Sequence, residues 1–169
     1  MKRLLILFVF IVISSNASAQ ADSANYYFSM GLFKLYQKQY KKAKIDFLKC
    51  VKHDPKHKQA YNNLGLCEMN TEDYRAAIAS YTAALNIDAK FVEARFNMAY
   101  CYFTLRDFED AITHLDRVID ETIDFADAYF YRGMSKIAIN LFETSCQDIR
   151  TARALDHLEA SLAEEIFCQ

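Results

Sequence analysis

Five cysteines are the residues of this chain best able to do chemistry: Cys50, Cys67, Cys101, Cys146 and Cys168. None stands in a C-x-x-C spacing, so neither a dithiol redox motif nor a zinc knuckle is predicted. The histidines are His53, His57, His114 and His157. His53 and His57 are four apart, the interval that puts two ligands on one helix face, but Pro55 between them breaks such a helix. No G-x-S-x-G or H-E-x-x-H occurs, so the common hydrolase and zinc-protease signatures are missing. Asp and Glu are abundant but scattered rather than convergent. The pattern predicts no catalytic residue, no metal and no cofactor, and points to a binding protein rather than an enzyme.

The N-terminus has its own logic. Lys2 and Arg3 precede ten uninterrupted apolar residues from Leu4 to Ile13, then Ser14, Ser15, Asn16 and Ala17-Ser18-Ala19. Basic start, apolar run and A-x-A ending match a secretory signal peptide over 1–19. Ten residues rise only about 15 Å as a helix, half of a bilayer core of roughly 30 Å. The mature chain is expected to begin near Gln20, without a transmembrane segment, in the periplasm or outside the cell. Cysteine oxidation is possible there.

Composition bounds the remainder. Hydrophobic residues make up 53% and charged residues 25%, which is globular rather than disordered usage. Three Gly and one Pro are too few for the tight turns of a β-rich domain and favour helices with short connections. The charge is unevenly placed. Residues 34–58 hold nine Lys against Asp46 and Asp54, whereas 107–127 hold eight carboxylates against Arg117 alone. Solvated helix faces account for this. So do an anionic partner (not a nucleic acid, given the net formal charge of -2) and head-to-tail self-association of basic and acidic ends.

Self-comparison organises the chain. Gly31, Gly65, Ala99 and Gly133 recur every 34 residues, and the other columns then align. Ala43, Ala77, Ala111 and Ser145 form one. Tyr40, Tyr74, Phe108 and Phe142 form another, and Phe47, Tyr81, Leu115 and Ile149 a third. Tyr27, Tyr61 and Tyr129 share a column with the exception Arg95. Four units result, 24–57, 58–91, 92–125 and 126–157, each with two runs of apolar residues at steps of three and four. Asn70-Thr71-Glu72-Asp73 predicts a turn and N-cap, and Asp107 a cap in the third unit. Glycine inside a helix costs about 1 kcal/mol against Ala, so its repetition predicts close helix approach, with the Ala43, Ala77, Ala111 column as the facing wall.

These columns resemble the tetratricopeptide repeat, with Tyr61, Leu64, Gly65, Ala77, Tyr81 and Ala84 carrying the pattern in the second unit. The resemblance spans 24–157. It implies an all-α fold, a right-handed α-solenoid of four helix-turn-helix units. Residues 158–169 read as a capping helix, with Leu158, Leu162, Ile166 and Phe167 covering the end. Departures include Ala89, Ile123 and His157 where the pattern has Pro, Arg132 at an apolar column, and Ile139-Asn140-Leu141 at the fourth turn, which predicts local irregularity there.

The resemblance also implies a concave groove lined by the first helices. Carried over residue by residue, it places Phe28, Leu32, Asn62, Asn63, Leu66, Phe96, Asn97, Tyr100, Phe130 and Met134 there. Chaperone-tail binders of the family clamp a carboxylate with Lys, Asn and Arg. Here Phe28 and Leu32 fill the first pair, and Glu93 and Asn97 the third, leaving only Asn63. An apolar, aromatic groove favours an amphipathic helix or hydrophobic peptide of a protein partner, one belonging for instance to an envelope complex. Cys146 falls on the last second helix and Cys168 on the cap beside it, a candidate disulfide. The alternative is that the cysteines are small core hydrophobes.

Overall fold

The computed structural model describes residues 21–168; the expected leader, 1–19, lies outside them. All regular structure among the described residues is helical. Helix α1 covers 21–36. It is followed by α2 Tyr40–His53, α3 Lys58–Met69, α4 Tyr74–Ile87, α5 Val92–Leu105, α6 Phe108–Glu121, α7 Ala126–Ala138, α8 Phe142–Ala154 and α9 Ala160–Phe167. The pairs α1/α2, α3/α4, α5/α6 and α7/α8 follow the 34-residue period. Each helix packs on the next, and the first helices also touch one another, α3 on α5 and α5 on α7. No comparable contact joins α4 to α6 or α6 to α8. The first helices therefore line the tighter, concave side of the stack.

The turn inside each unit is the same device four times. Lys38, Glu72, Arg106 and Asn140, again 34 apart, take left-handed backbone with φ of 56, 63, 67 and 65°. The next residue's N–H reaches back to the carbonyl five before it: Gln39 to Lys34, Asp73 to Glu68, Asp107 to Tyr102 and Leu141 to Lys136, at 2.8 to 2.9 Å. This is the Schellman closure, which satisfies the last carbonyls of the first helix. Non-glycine residues adopt it because the paired hydrogen bonds offset a left-handed cost of about 1–2 kcal/mol. Asn140 obeys the rule, so the fourth turn is regular, contrary to the expectation from Ile139-Asn140-Leu141. Asp73 caps α4 through Ala76 N at 3.3 Å. Asp107 stands at the N-cap of α6 but its side chain makes no cap hydrogen bond; what it supplies is negative charge at the positive helix end.

The glycines serve close approach, and in the first two units the wall is not the expected one. A Cβ on Gly65 would lie 2.7 Å from Tyr81 Cε1, and one on Gly31 would lie 2.6 Å from Phe47 Cε1. In these two units the missing Cβ faces the large residue 16 positions on rather than the alanine column; a Cβ on Gly133 would meet both Ile149 Cδ1 at 2.8 Å and, in that column, the Ser145 backbone oxygen at 3.1 Å. Ala43, Ala77 and Ala111 are instead fully buried within the clusters of their own units. In the third unit the small residue is Ala99, and the opposite residue shrinks to Leu115, both fully buried.

A second paired column was invisible at the residue level. Residues 12 apart join the two helices of each unit, each time with different chemistry. Lys34 pairs with Asp46. Glu68 accepts from Ser80 at 2.6 Å and also meets Lys44 at 2.9 Å. Tyr102 stacks on His114 at 5.5 Å. Lys136 donates to Asp148 at 2.7 Å. Asp148 also takes both arms of Arg132, at 2.9 and 2.5 Å, while Arg132 reaches Asp116 at 2.7 Å. That bidentate geometry explains a guanidinium in an apolar column. Burial alone would lower the Arg132 pKa, but hydrogen bonds and charge from Asp148 and Asp116 outweigh it and raise it above the ordinary arginine value.

Helix α9 departs from expectation. It begins at Ala160 and buries Ala160 and Ala163, while Leu158, Leu162, Ile166 and Phe167 point outward, Leu158 at 97% exposure. The reason is register. Ala60, Ala94 and Ala128 are the fully buried contacts of α3, α5 and α7 with the preceding helix. Ala160 takes that role for α9, which packs on α8 as each first helix packs on the second helix before it. Cys146 and Cys168 form a disulfide with Cα atoms 5.5 Å apart, and Arg150 and Arg153 bridge Glu164 at 3.1 and 2.7 Å. Together they fasten α9 to α8.

Candidate binding groove

Three of the expected groove residues turn out to be inter-unit packing. Phe28 lies on His57 with centroids 4.4 Å apart, Phe96 on Phe125 at 4.6 Å and Phe130 on His157 at 4.0 Å. In each case the ring covers the residue that ends its own unit, sealing the joint to the next first helix. Phe28 and Phe96 keep part of their surface. Phe130 is only 6% exposed and belongs to a core cluster with Ala160 and Ala163. The placement of Phe130 in an open groove is therefore corrected, because α9 covers it.

The row at Leu32, Leu66, Tyr100 and Met134 behaves differently. Leu32 is 40% exposed, and Leu66, Tyr100 and Met134 are half-buried. Leu32, Leu66 and Tyr100 belong to none of the buried clusters, whereas Met134 packs against the fourth. Met134 also edges an apolar hollow of about 220 Å³ with Phe130, Leu162, Ile166 and Phe167. The amides Asn62, Asn63 and Asn97 are half-buried beside this row. Asn97 Nδ2 donates to Asn62 Oδ1 at 3.5 Å, a long bond that leaves both amides capacity for another partner.

Sequence reasoning missed the residue that organises the far half of this surface. Tyr131 touches Tyr100 and Phe103 at 5.2 Å, Phe130 at 5.5 Å and Phe96 at 6.1 Å. Burial first, then Tyr100, pushes its phenol pKa up to about 12, so it acts as a neutral ring with a hydroxyl. Its column is Ser29, Asn63, Asn97 and Tyr131; the change from small polar to aromatic was the available signal.

The titratable groups have structural work. Burial pushes the thiols of Cys50, Cys67 and Cys101 up to about 11, 12 and 12, which suppresses the thiolate that nucleophilic or metal chemistry needs. His53 stacks on Tyr27 at 5.5 Å, and His57 Nδ1 caps α3 by accepting from Ala60 N at 3.2 Å. Arg95, the exception in the tyrosine column, is buried and donates to the Ala89 carbonyl. Among the described residues no helix is long and apolar enough to cross a membrane.

Two tetratricopeptide repeat family models match the chain, over residues 28–90 and 69–137. The chain is a tetratricopeptide repeat protein. Comparison with curated protein sequences gives no significant match. Solved structures share its fold at low identity. MamA (residues 41 to the end) from Desulfovibrio magneticus RS-1 is 18% identical, with TM-score 0.78 over 81% of this chain and 77% of that one. YrrB, described as a TPR protein with an unusual peptide-binding site, is 20% identical, with TM-score 0.78 over 93% of this chain and 87% of that one. The first TPR domain of Spaghetti (RPAP3), solved with the HSP90 peptide SRMEEVD, is 17% identical, with TM-score 0.69 over 71% of this chain and 95% of that one. A tetratricopeptide repeat array of this kind is a protein-interaction scaffold.

Proposed function

We propose that this scaffold is non-enzymatic and holds an apolar peptide or amphipathic helix of a protein partner along the concave row Leu32, Leu66 and Tyr100. The carrying observation is that these side chains, one per unit, stand outside every core cluster while the rings beside them are used in packing. Apolar anchors in a row, flanked by the amides Asn62, Asn63 and Asn97, fit a ligand with side chains on one face and free backbone groups. The HSP90 peptide bound to the RPAP3 domain and the peptide-binding site of YrrB support peptide binding as such. The absence of basic residues at the carboxylate-clamp positions argues for an apolar ligand rather than an acidic tail. The leader-like pattern of 1–19, a basic start, ten apolar residues and A-x-A, supports action after export, in a periplasm or beyond the cell, with a mature N-terminus at Gln20.

The test is crosslinking capture from native envelope with wild type and with a Leu66→Glu/Tyr100→Glu variant whose helicity is verified by circular dichroism. The expected result is a defined partner held by wild type and lost by the folded variant. The same partner on both would remove the groove from the function. N-terminal sequencing tests the export reading, and a retained Met1 in the purified protein would overturn it.

A further inference from the structure

The first helix of each unit rests on the second helix of the unit before it. The residues at that joint are small: Ala60 and Cys67 on α3, Ala94 and Cys101 on α5, Ala128 and Ser135 on α7, all at 0% exposure. The matching positions of α1 are Tyr26 and Phe33. They are large, and they are 61% and 58% exposed. Seven residues apart, they stand two turns apart on one helix face. Halfway between lies exposed Ser29, its hydroxyl folded onto its own helix by donating to the Asn25 carbonyl at 2.9 Å.

This stripe is self-complementary. Large, small, large reads the same in both directions, and its ends carry opposite charge, Asp22 at the start and Lys38 in the turn that follows. Set antiparallel about a two-fold axis at Ser29 and Met30, Tyr26 meets the second copy's Phe33, and Phe33 meets the second copy's Tyr26. Asp22 then comes opposite the second copy's Gln37, one residue from its Lys38. The small residue at the crossing lets two helices approach to ordinary packing distance, roughly 8–10 Å. We propose that α1 is the interface of a two-fold homodimer of this chain, closed by these aromatic pairs and steered by the Asp22 and Lys38 charges. An isologous contact of this kind is the commonest way soluble chains pair. Two aromatic side chains on one helix make a smaller patch than the roughly 800 Å² per partner of a stable complex, so the dimer is a weak one. The concave row at Leu66 and Tyr100 lies on other helices, so the groove and the dimer stand or fall separately.

Sedimentation velocity over a concentration series, on the protein in the processed form the cell produces, tests this. Wild type should pass from monomer to dimer. Tyr26→Ala/Phe33→Ser, which installs the small residues of the inner joints, should weaken association roughly tenfold or more with unchanged circular dichroism. Asp22→Lys and Lys38→Asp should each weaken it. Their equimolar mixture should regain it, because both cross-axis contacts are then between opposite charges. Ser29→Cys should give a covalent dimer under mild oxidant. A monomer at every concentration overturns the proposal. So does a dimer that survives Tyr26→Ala/Phe33→Ser, or a charge-swapped mixture that stays monomeric. Leu66→Glu/Tyr100→Glu should leave dimerisation intact.

Discussion

Replacing Gly65 with alanine measures how tightly the two helices of a unit are pressed together. The added Cβ would lie 2.7, 2.8 and 2.9 Å from Cε1, Cζ and Cδ1 of Tyr81. Carbon contacts are most favourable near 3.5–4.0 Å, so the ring or the helix must give by nearly an ångström. Tyr81 is fully buried and a ring cannot bend away. Overpacking of this kind costs about 1–3 kcal/mol, against about 1 kcal/mol gained because alanine suits a helix better than glycine. The net expectation for Gly65→Ala is a loss of up to about 2 kcal/mol. Gly133 is the internal comparison. Its nearest atoms are Ile149 Cδ1 at 2.8 Å, the free end of a flexible side chain, then Ile149 Cγ1 at 3.0 Å and the Ser145 backbone oxygen at 3.1 Å. Gly133→Ala should therefore cost less than Gly65→Ala, a loss of at most about 1 kcal/mol, because one of its close contacts can move aside and the backbone contact is the longest of the three. The third unit already shows the remedy, since Ala99 faces Leu115. Gly65→Ala/Tyr81→Leu should accordingly be more stable than the two single losses added together, and it also removes the Tyr81 hydroxyl, which is buried without a hydrogen-bond partner. Urea denaturation of the variants, read as midpoint shifts at constant slope, decides the matter. If Gly65→Ala equals Gly133→Ala, or the double variant shows no coupling, the ring contact does not set the helix spacing and the reasoning fails.

Two further outcomes follow from the same packing. The Cys146–Cys168 bridge closes 22 residues, for which chain entropy predicts about 3 kcal/mol; Cys146→Ser/Cys168→Ser should speed amide hydrogen exchange in α9 while leaving α3 to α6 protected, and uniform loss of protection would contradict a local latch. His114 makes stability pH-dependent: burial, then the charge of Arg95, lowers its pKa below the ordinary histidine value of 6.5. The unfolded chain therefore binds the proton more readily, so stability should fall as pH drops below 6.5 toward the depressed folded value, and His114→Phe should flatten the unfolding midpoint over that window; an unchanged profile would refute the assignment.

The fold was legible because its period is long and its columns are redundant. Four copies of one spacing outweigh any single departure, which is why Arg95 and Arg132 did not obscure the units. The site was less legible, for a physical reason. A column says which way a side chain points relative to its own helix, but exposure depends on what the neighbouring helix brings. Phe28, Phe96 and Phe130 occupy one column, yet only Phe130 is closed over, because the alanines of α9 let that helix settle onto it. The outward placement of Leu158 and Leu162 was hidden likewise: hydrophobicity alone assigned them to the cover, whereas the joint admits only small residues. Tyr131 was missed because its column has polar residues in three units, and its contacts come from the unit before it.

What distinguishes this array from any other of its fold lies in those departures. Columns that hold the helices together trade volume in the third unit: where Gly becomes Ala at position 99, the ring opposite becomes Leu115. Columns that pair across a unit keep contact but change chemistry, from Lys34 and Asp46 to Tyr102 and His114, so they constrain geometry rather than residue type. The positions free of both duties are the row at Leu32, Leu66 and Tyr100 and the outer face of α1. On α1 the packing requires nothing large, since Ala, Cys and Ser fill the equivalent joints, whereas the row keeps a large side chain in every unit. Burying an aromatic side chain is worth about 1.5–3 kcal/mol and leaving it in water forfeits that, so Tyr26 and Phe33, both exposed, carry unused binding energy. A surface with free energy still to gain, arranged in rows by the repeat itself, is what a protein-interaction scaffold requires.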